Sequence, residues 1–327
     1  GLYFLPSIIY SLPTLKCPDV LLLFSLENFF SFLWASSFII IFFVPSNIIL
    51  DMDTYDGLDF IWLATSNGFS KFVGTSFINY SKNLGLPAKL VTAIHVDRTK
   101  SNTVWTGSEK FGLTRYDDNG FFNFATQDGL PSNSIRDITQ SKNGDLIIAC
   151  YNAGVVKYDG KTFKLFNNGL ADKRVILVTN GPDGSIWAGT ESAGVGVLND
   201  DQFKMVIDAD GLGHNEIFSL HYDGKRMWAG TFGGGVSCFS GDIWYTMSQA
   251  DGLASSNVGA IISSKGKILL GGNNGLSIFE EYDAQFALKF DKILTPKAEI
   301  PFQASMSKLA GIITVSYTHL TLPTNGT

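Results

Sequence analysis

The chain has 327 residues, 45% of them apolar and 17% charged, which excludes disorder over most of its length. Its net charge of −6 offers no basic face to displace counterions, which excludes a nucleic-acid platform. Three Cys cannot build a disulfide framework, while 34 Gly and 26 Phe point to many short strands and tight turns.

Residues 1–42 form an apolar head. Residues 1–44 hold eight Phe and only three charges, Lys16, Asp19 and Glu27. The uncharged run from Phe29 to Val44 falls short of the ~20 residues a spanning helix needs. Lys16 is a thin positive region for a signal peptide, and no initiator Met precedes it. Two readings remain, a signal or membrane segment and wrong-frame translation of AT-rich DNA. No function is placed here.

Residues 43–293 repeat. Gly-Leu recurs at Gly85, Gly129, Gly169, Gly211 and Gly252, at spacings of 44, 40, 42 and 41. Phe43-Val44 stands in its place in a sixth, upstream copy, where Pro45-Ser46-Asn47-Ile48 matches Pro131-Ser132-Asn133-Ser134-Ile135. A period of ~40–45 is that of a four-stranded propeller blade.

Each copy carries four strand signals. A first apolar run, such as Val91-Thr92-Ala93-Ile94, precedes a polar turn such as Lys142-Asn143-Gly144. A second strand centres on Trp62, Trp105, Ile147, Trp187, Trp228 or Leu269. A third opens on Gly68, Gly112, Gly154, Gly194, Gly235 or Gly275. A fourth starts at Phe77, Phe121, Phe163, Phe203 or Trp244, and in the last copy it is expected from Phe286 to Phe290. A lone sheet cannot bury both faces, whereas blades stacked around an axis can. The expected fold is all-β, a β-propeller of four-stranded antiparallel blades. Its six visible repeats make either a complete six-bladed ring or a truncated seven-bladed one. Residues 294–314 would begin a further blade or domain. Residues 315–327, with Val315-Ser316-Tyr317-Thr318-His319-Leu320, look like translated sequencing adapter, which suggests a gene fragment.

The unit from Gly129-Leu130-Pro131-Ser132-Asn133 to Tyr158-Asp159-Gly160-Lys161-Thr162-Phe163 resembles the two-component regulator propeller repeat. The resemblance covers roughly residues 43–290. It implies an extracytoplasmic or periplasmic sensor region of a membrane-bound signalling protein. The intact protein would carry an output kinase or cyclase domain, and its ligand would be a small molecule or oligosaccharide of polysaccharide origin. Such sensors usually carry seven blades, or two rings of seven, followed by a β-sandwich, a membrane helix and output domains. Here six blades and none of those outputs are legible.

In an up-and-down blade the fourth-to-first and second-to-third loops share one end, the mouth. Loop residues that differ between copies are the candidates for recognition: Glu109, Lys110, Tyr151, Asn152, Glu191, Phe232 and Asn274. Carboxylates, a Lys, amides and rings together suit a sugar, with rings stacking and polar groups fixing hydroxyls. The competing reading is of ordinary solvated loop residues. His214, in a mouth loop beside Asn215 and Glu216, is the residue that supports an enzyme. Propellers of the streptogramin-lyase kind use a mouth histidine as general base with a metal ion. His95 and His221 share a first-strand column, where a satisfied structural histidine competes with a metal ligand. Cys150 and Cys238 read as small apolar strand residues. No cofactor, metal or catalytic set is assigned. The reading is a non-catalytic sensor propeller that binds its ligand at the mouth. The alternatives are a lyase-like enzyme and a protein-interaction scaffold.

Overall fold

The computed structural model describes residue 46, residues 48–55, 60–74, 76–241, 243–264, 266–280 and 289–294, and two short strands, Leu21–Leu22 and Ile312–Ile313. Six four-stranded antiparallel sheets, each a simple meander, form a ring, a six-bladed β-propeller. The blades occupy residues 49–80, 91–124, 135–166, 175–206, 217–247 and 258–294. First strands of successive blades lie side by side from blade 1 through blade 6. Leu21–Leu22 pairs with Ile312–Ile313, and the latter touches the first strands of blades 1 and 6.

The repeat signals become structure for identifiable reasons. The Gly of Gly-Leu takes a left-handed conformation after a one-turn 3-10 helix; at Gly129, φ is 94° after Thr126–Asp128. The Leu that follows is buried in blade after blade, as at Leu86, Leu130, Leu212 and Leu253. Glycine before or at the start of the third strand is required by sterics. At Gly235, φ is 79° and a Cβ would lie 2.1 Å from the Met247 carbonyl oxygen.

Apolar residues from facing sheets form the core between blades. Trp62 packs with Val91, Ile94 and Val104 across blades 1 and 2. Trp105 packs with Ile135, Ile148 and Tyr158 across blades 2 and 3. Trp187 and Trp228 do the same at the next Trp-bearing interfaces, and Ile147 serves between blades 3 and 4. The indole N–H groups are satisfied inside their own blades: Trp105 donates to Asp97 at 3.0 Å, Trp228 to Asp223 at 2.7 Å and Trp187 to the Ser185 hydroxyl at 3.0 Å.

Blade 6 differs from expectation. Its fourth strand is described at Lys289–Leu294, later than the expected Phe286 to Phe290. Phe279 pairs with Phe290, as Tyr116 pairs with Phe121 and Phe239 with Trp244. Phe290 therefore holds the aromatic column that Phe286 was expected to hold. The ladder decides this, because register must follow the third strand, whatever the length of the connection. Residues 281–288 lie outside the described residues, as do the head apart from Leu21–Leu22 and the adapter-like tail.

The first strands have an inner edge that no ladder covers, and at four blade pairs side chains of the neighbouring blade reach it. Asp51 and Asp53 of blade 1 accept the Ile94 and Val96 N–H groups of blade 2, at 2.9 and 2.8 Å. Asp137 of blade 3 accepts the Val178 N–H of blade 4 at 2.9 Å. Thr92 and Ser219 donate to the Ile135 and Val258 carbonyls of the next blade.

Replacing Asp51 by Ala strands the buried Ile94 N–H, and urea denaturation should show a loss of about 1–3 kcal/mol. Acid should weaken the same scheme. Burial pushes Asp53, Asp97 and Asp223 up, but hydrogen bonds and charges around each, led by His95, Trp105 and Trp228 respectively, together outweigh it. Each carboxyl is held below its ordinary 3.8. Their contribution is full above that value and is lost as pH falls through the lower folded values. Melting followed by circular dichroism should show a Tm that holds toward pH ~4 and then drops steeply, with a smaller drop in Asp97→Asn.

Candidate functional site

The mouth is rigid before any ligand is considered. Backbone N–H groups of Ser66, Tyr151, Glu191 and Phe232 donate to the carbonyls of Ile48, Ser134, Arg174 and Glu216, tying each second-to-third loop to the entry of its own first strand. Gly68, Gly112, Gly194 and Gly235 donate to Lys89, Asn133, Asn215 and Ser256 of the following blade. Side chains on these loops are therefore held at fixed stations.

All six first strands carry a bulge at the mouth, with a register shift across Leu50, Thr92, Arg136, Ile176, Phe218 and Gly259. A bulge re-aims the extra residue, which is why it suits a site. Arg136 uses this position to span two blades. Its Nη1 lies 2.8 Å from Glu109 Oε1 of blade 2, and its guanidinium sits 4.7 Å from the centre of the Tyr151 ring. The Tyr151 hydroxyl donates to Glu191 Oε2 of blade 4 at 2.8 Å. Arg174 Nη1 lies 2.6 Å from the same Glu191 oxygen, and its Nε and Nη2 grip both oxygens of Asp172 at 2.9 and 2.8 Å. Glu109, Arg136, Tyr151, Glu191, Arg174 and Asp172 thus form one chain of contacts across blades 2, 3 and 4.

The chain sets two guanidinium groups, Arg136 and Arg174, against three carboxylates, Glu109, Glu191 and Asp172. Burial and the Glu191 hydrogen bond push the Tyr151 phenol up, so it stays a donor. Burial pushes Asp172 up, but the Arg174 side-chain and backbone hydrogen bonds outweigh it and hold the carboxyl low. On blade 5 the bulged Phe218 contacts Phe232 with ring centres 5.3 Å apart, and Phe232 is 45% exposed. The mouth therefore offers a polar arc with donors and acceptors of both signs, and a solvent-facing ring.

Of the residues expected here, Glu109, Tyr151 and Glu191 are brought together, and Phe232 is paired with Phe218. Lys110, Asn152 and Asn274 sit exposed at turn tips. Asn152 has φ of 64°, so it serves the turn that needs a left-handed residue. Sequence reasoning missed Arg136, Arg174 and Phe218. For Arg136 and Phe218 the available signal was the position just after the opening apolar residue of the first strand, which differs in every copy; Arg174 lies just before the first strand of its blade.

His214 has a backbone task. Its Nδ1 accepts the Glu216 N–H at 3.1 Å. Ser46, Ser132, Asp172 and Ser255 occupy the same repeat position and accept the N–H two residues on, from Ile48, Ser134, Arg174 and Asn257. His95 Nδ1 lies 3.1 Å from Asp53 Oδ2, and His221 Nε2 lies 2.8 Å from Ser263 Oγ. Among the described residues no three His, Cys, Asp or Glu gather as metal ligands. Cys150 and Cys238 are buried, and burial pushes the Cys150 thiol up to about 12. No helix among the described residues is long and apolar enough to cross a membrane.

No protein-family model matches the sequence, and no curated protein matches it. Solved structures do. The extracellular domain of BT3049, described as a hybrid two-component system of B. thetaiotaomicron, superposes with a TM-score of 0.63 at 23% identity, over 75% of this chain and 35% of that one. The extracellular domain of BT4673, similarly described and from the same organism, gives 0.63 at 17% identity, over 76% and 37%. A catalytically inactive variant of virginiamycin B lyase from Staphylococcus aureus with quinupristin gives 0.56 at 14% identity, over 74% and 83%. The chain spans about a third of the length of the two extracellular domains. At such identities the likeness establishes the propeller fold.

If His214 is a turn cap, His214→Ser should leave the urea midpoint unchanged. His214→Ala should lower stability by about 0.5–1 kcal/mol, the loss of one exposed side-chain hydrogen bond to backbone.

Proposed function

We propose that this chain is the ligand-sensing propeller of a two-component-type signalling protein, extracytoplasmic and non-catalytic, with its ligand held at the mouth. The observation that carries this is the Glu109–Arg136–Tyr151–Glu191–Arg174 chain, built from positions that vary between otherwise repeated blades. Structural columns repeat because every blade needs them; these positions differ among the blades, Glu recurring only at Glu109 and Glu191, and their side chains meet at one end. The likeness to two extracellular domains of hybrid two-component systems supports the same reading.

The ligand class that fits is a glycan-derived oligosaccharide. The ion pairs supply fixed donors and acceptors for hydroxyl groups, and Phe232 offers a face for a sugar ring. Because the contacts bridge three blades, an occupant that spans Arg136 and Glu191 would bias blade packing. Such a bias is the means by which binding could reach an output kinase or cyclase domain.

The second reading, a lyase using His214 as base, is favoured by the likeness to virginiamycin B lyase. Against it, His214 Nδ1 is occupied by backbone. The third, a protein-interaction scaffold, would use the same mouth for a polypeptide.

A glycan-array screen followed by calorimetry should find an oligosaccharide ligand. Arg136→Ala and Phe232→Ala should each weaken it about tenfold or more, and His214→Ser should leave it unchanged. Absence of any glycan hit together with capture of one defined protein would replace this reading with the scaffold. Turnover of a streptogramin that is lost in His214→Ser would replace it with the enzyme.

A further inference from the structure

The contacts at the mouth leave hydrogen-bonding capacity unspent, and what remains is uneven. The Tyr151 hydroxyl donates to Glu191 Oε2 at 2.8 Å, and Arg174 Nη1 lies 2.6 Å from the same oxygen. The second oxygen, Oε1, has no partner among the described residues and is not a buried atom. Glu109 is alike: Oε1 takes Arg136 Nη1 at 2.8 Å, and Oε2 has no partner among the described residues. Arg174 is fully engaged, with Asp172, Glu191 and the Ser192 hydroxyl around its three nitrogens. Arg136 keeps donor capacity, but on blade 3, two blades from Phe232. The group that blade 4 leaves to a ligand is therefore an acceptor.

Glu191 and Phe232 occupy the same repeat position on adjacent blades, as do Tyr151 and Glu191, which touch. Each is held by its backbone N–H, Glu191 on the Arg174 carbonyl and Phe232 on that of Glu216. Phe218 braces the Phe232 ring, which still exposes a face to solvent. An open carboxylate oxygen thus stands at the station next to an open aromatic face. A sugar ring stacked on Phe232 carries hydroxyls at its edge, and one of them can donate to Oε1 in a charge-assisted hydrogen bond. A carboxylate or sulfate at that edge has no proton to donate and meets like charge at contact distance. Lys110 and Lys173 also lie at the mouth, but both are exposed, so water and salt screen them.

Resting on the mouth reading above, we propose that Glu191 selects the ligand. The sugar ring on Phe232 is uncharged and donates a hydroxyl to Glu191 Oε1, so the mouth takes neutral oligosaccharides and rejects uronate-containing and sulfated ones. Tyr151 is a positioning residue: with Arg174 it holds Oε2, and so turns Oε1 to the ligand.

The test is a glycan array of neutral, uronate-containing and sulfated oligosaccharides, then calorimetry on the full chain. The calorimetry compares the best neutral hit with the same oligosaccharide oxidised at C6 to the uronate. Hits should be neutral, and the oxidised form should bind at least about tenfold more weakly. Glu191→Gln should weaken the neutral ligand about tenfold and narrow the gap to the oxidised one. Tyr151→Phe keeps the ring under Arg136 and should weaken the neutral ligand about threefold, with no further loss in the Glu191→Gln background. A merely structural Tyr151 would lower the Tm and act equally in both backgrounds. The neutral-to-oxidised ratio of the unaltered chain needs no variant to fold. Equal or tighter binding of the oxidised form, hits confined to acidic glycans, or an unchanged ratio in Glu191→Gln would overturn the proposal and leave a glycan-binding mouth in place. No oligosaccharide hit at all, or a hit untouched by Arg136→Ala and Phe232→Ala, would remove the mouth reading and this inference with it.

Discussion

A propeller has an inner edge that its sheets cannot satisfy. The first strand of each blade pairs with the second on one side only, and its other side faces the axis with open N–H and C=O groups. Neighbouring first strands diverge too much to form a ladder, so side chains must supply the missing partners. Asp51, Asp53 and Asp137 supply acceptors, and Thr92 and Ser219 supply donors. Each of these is a bond from one blade to the next, so closing the edge also fixes the angle between blades. The apolar layers around the Trp column then stabilise an arrangement that the polar bonds have already specified.

The mouth follows from that constraint. The first strands are pinned at the inner edge, and each takes up an extra residue where it leaves the mouth loop. Blade 3 places Arg136 in that extra position and blade 5 places Phe218 there. The same backbone device therefore presents a cation in one sector and an aromatic ring in another. Glu109, Tyr151 and Glu191 come from different blades and meet because Arg136 and Arg174 bridge them.

Much of this was legible in the chain. The positions of Trp62, Trp105, Trp187 and Trp228, the Gly that opens each third strand and the Gly-Leu pairs all mark columns that recur for a physical reason, and recurrence is visible in sequence. Phe286 was misplaced because spacing presumes a constant turn length, whereas the ladder keeps Phe290 opposite Phe279. His214 looked exceptional because a histidine is rare in its column; its position shows it doing what Ser132 and Ser255 do. Arg136 went unnoticed because a bulge cannot be seen in a strand-length apolar run, and Arg174 because it lies in the loop just before its strand.

The sequence by itself determined the propeller architecture, six visible repeats of four strands each and the residues that pack between them, since those features repeat and follow from local propensity and burial; it left open whether the ring has six blades or seven. It also marked Glu109, Tyr151, Glu191 and Phe232 as variable mouth positions. The tertiary structure decided which of these meet, that Arg136 and Arg174 join them, and that His214 serves the backbone. The reason is distance along the chain. Glu109 and Arg136 are 27 residues apart, and Tyr151 and Glu191 are 40 apart. Only the stacking of blades, with its inner-edge bonds and bulges, brings such residues within hydrogen-bonding reach.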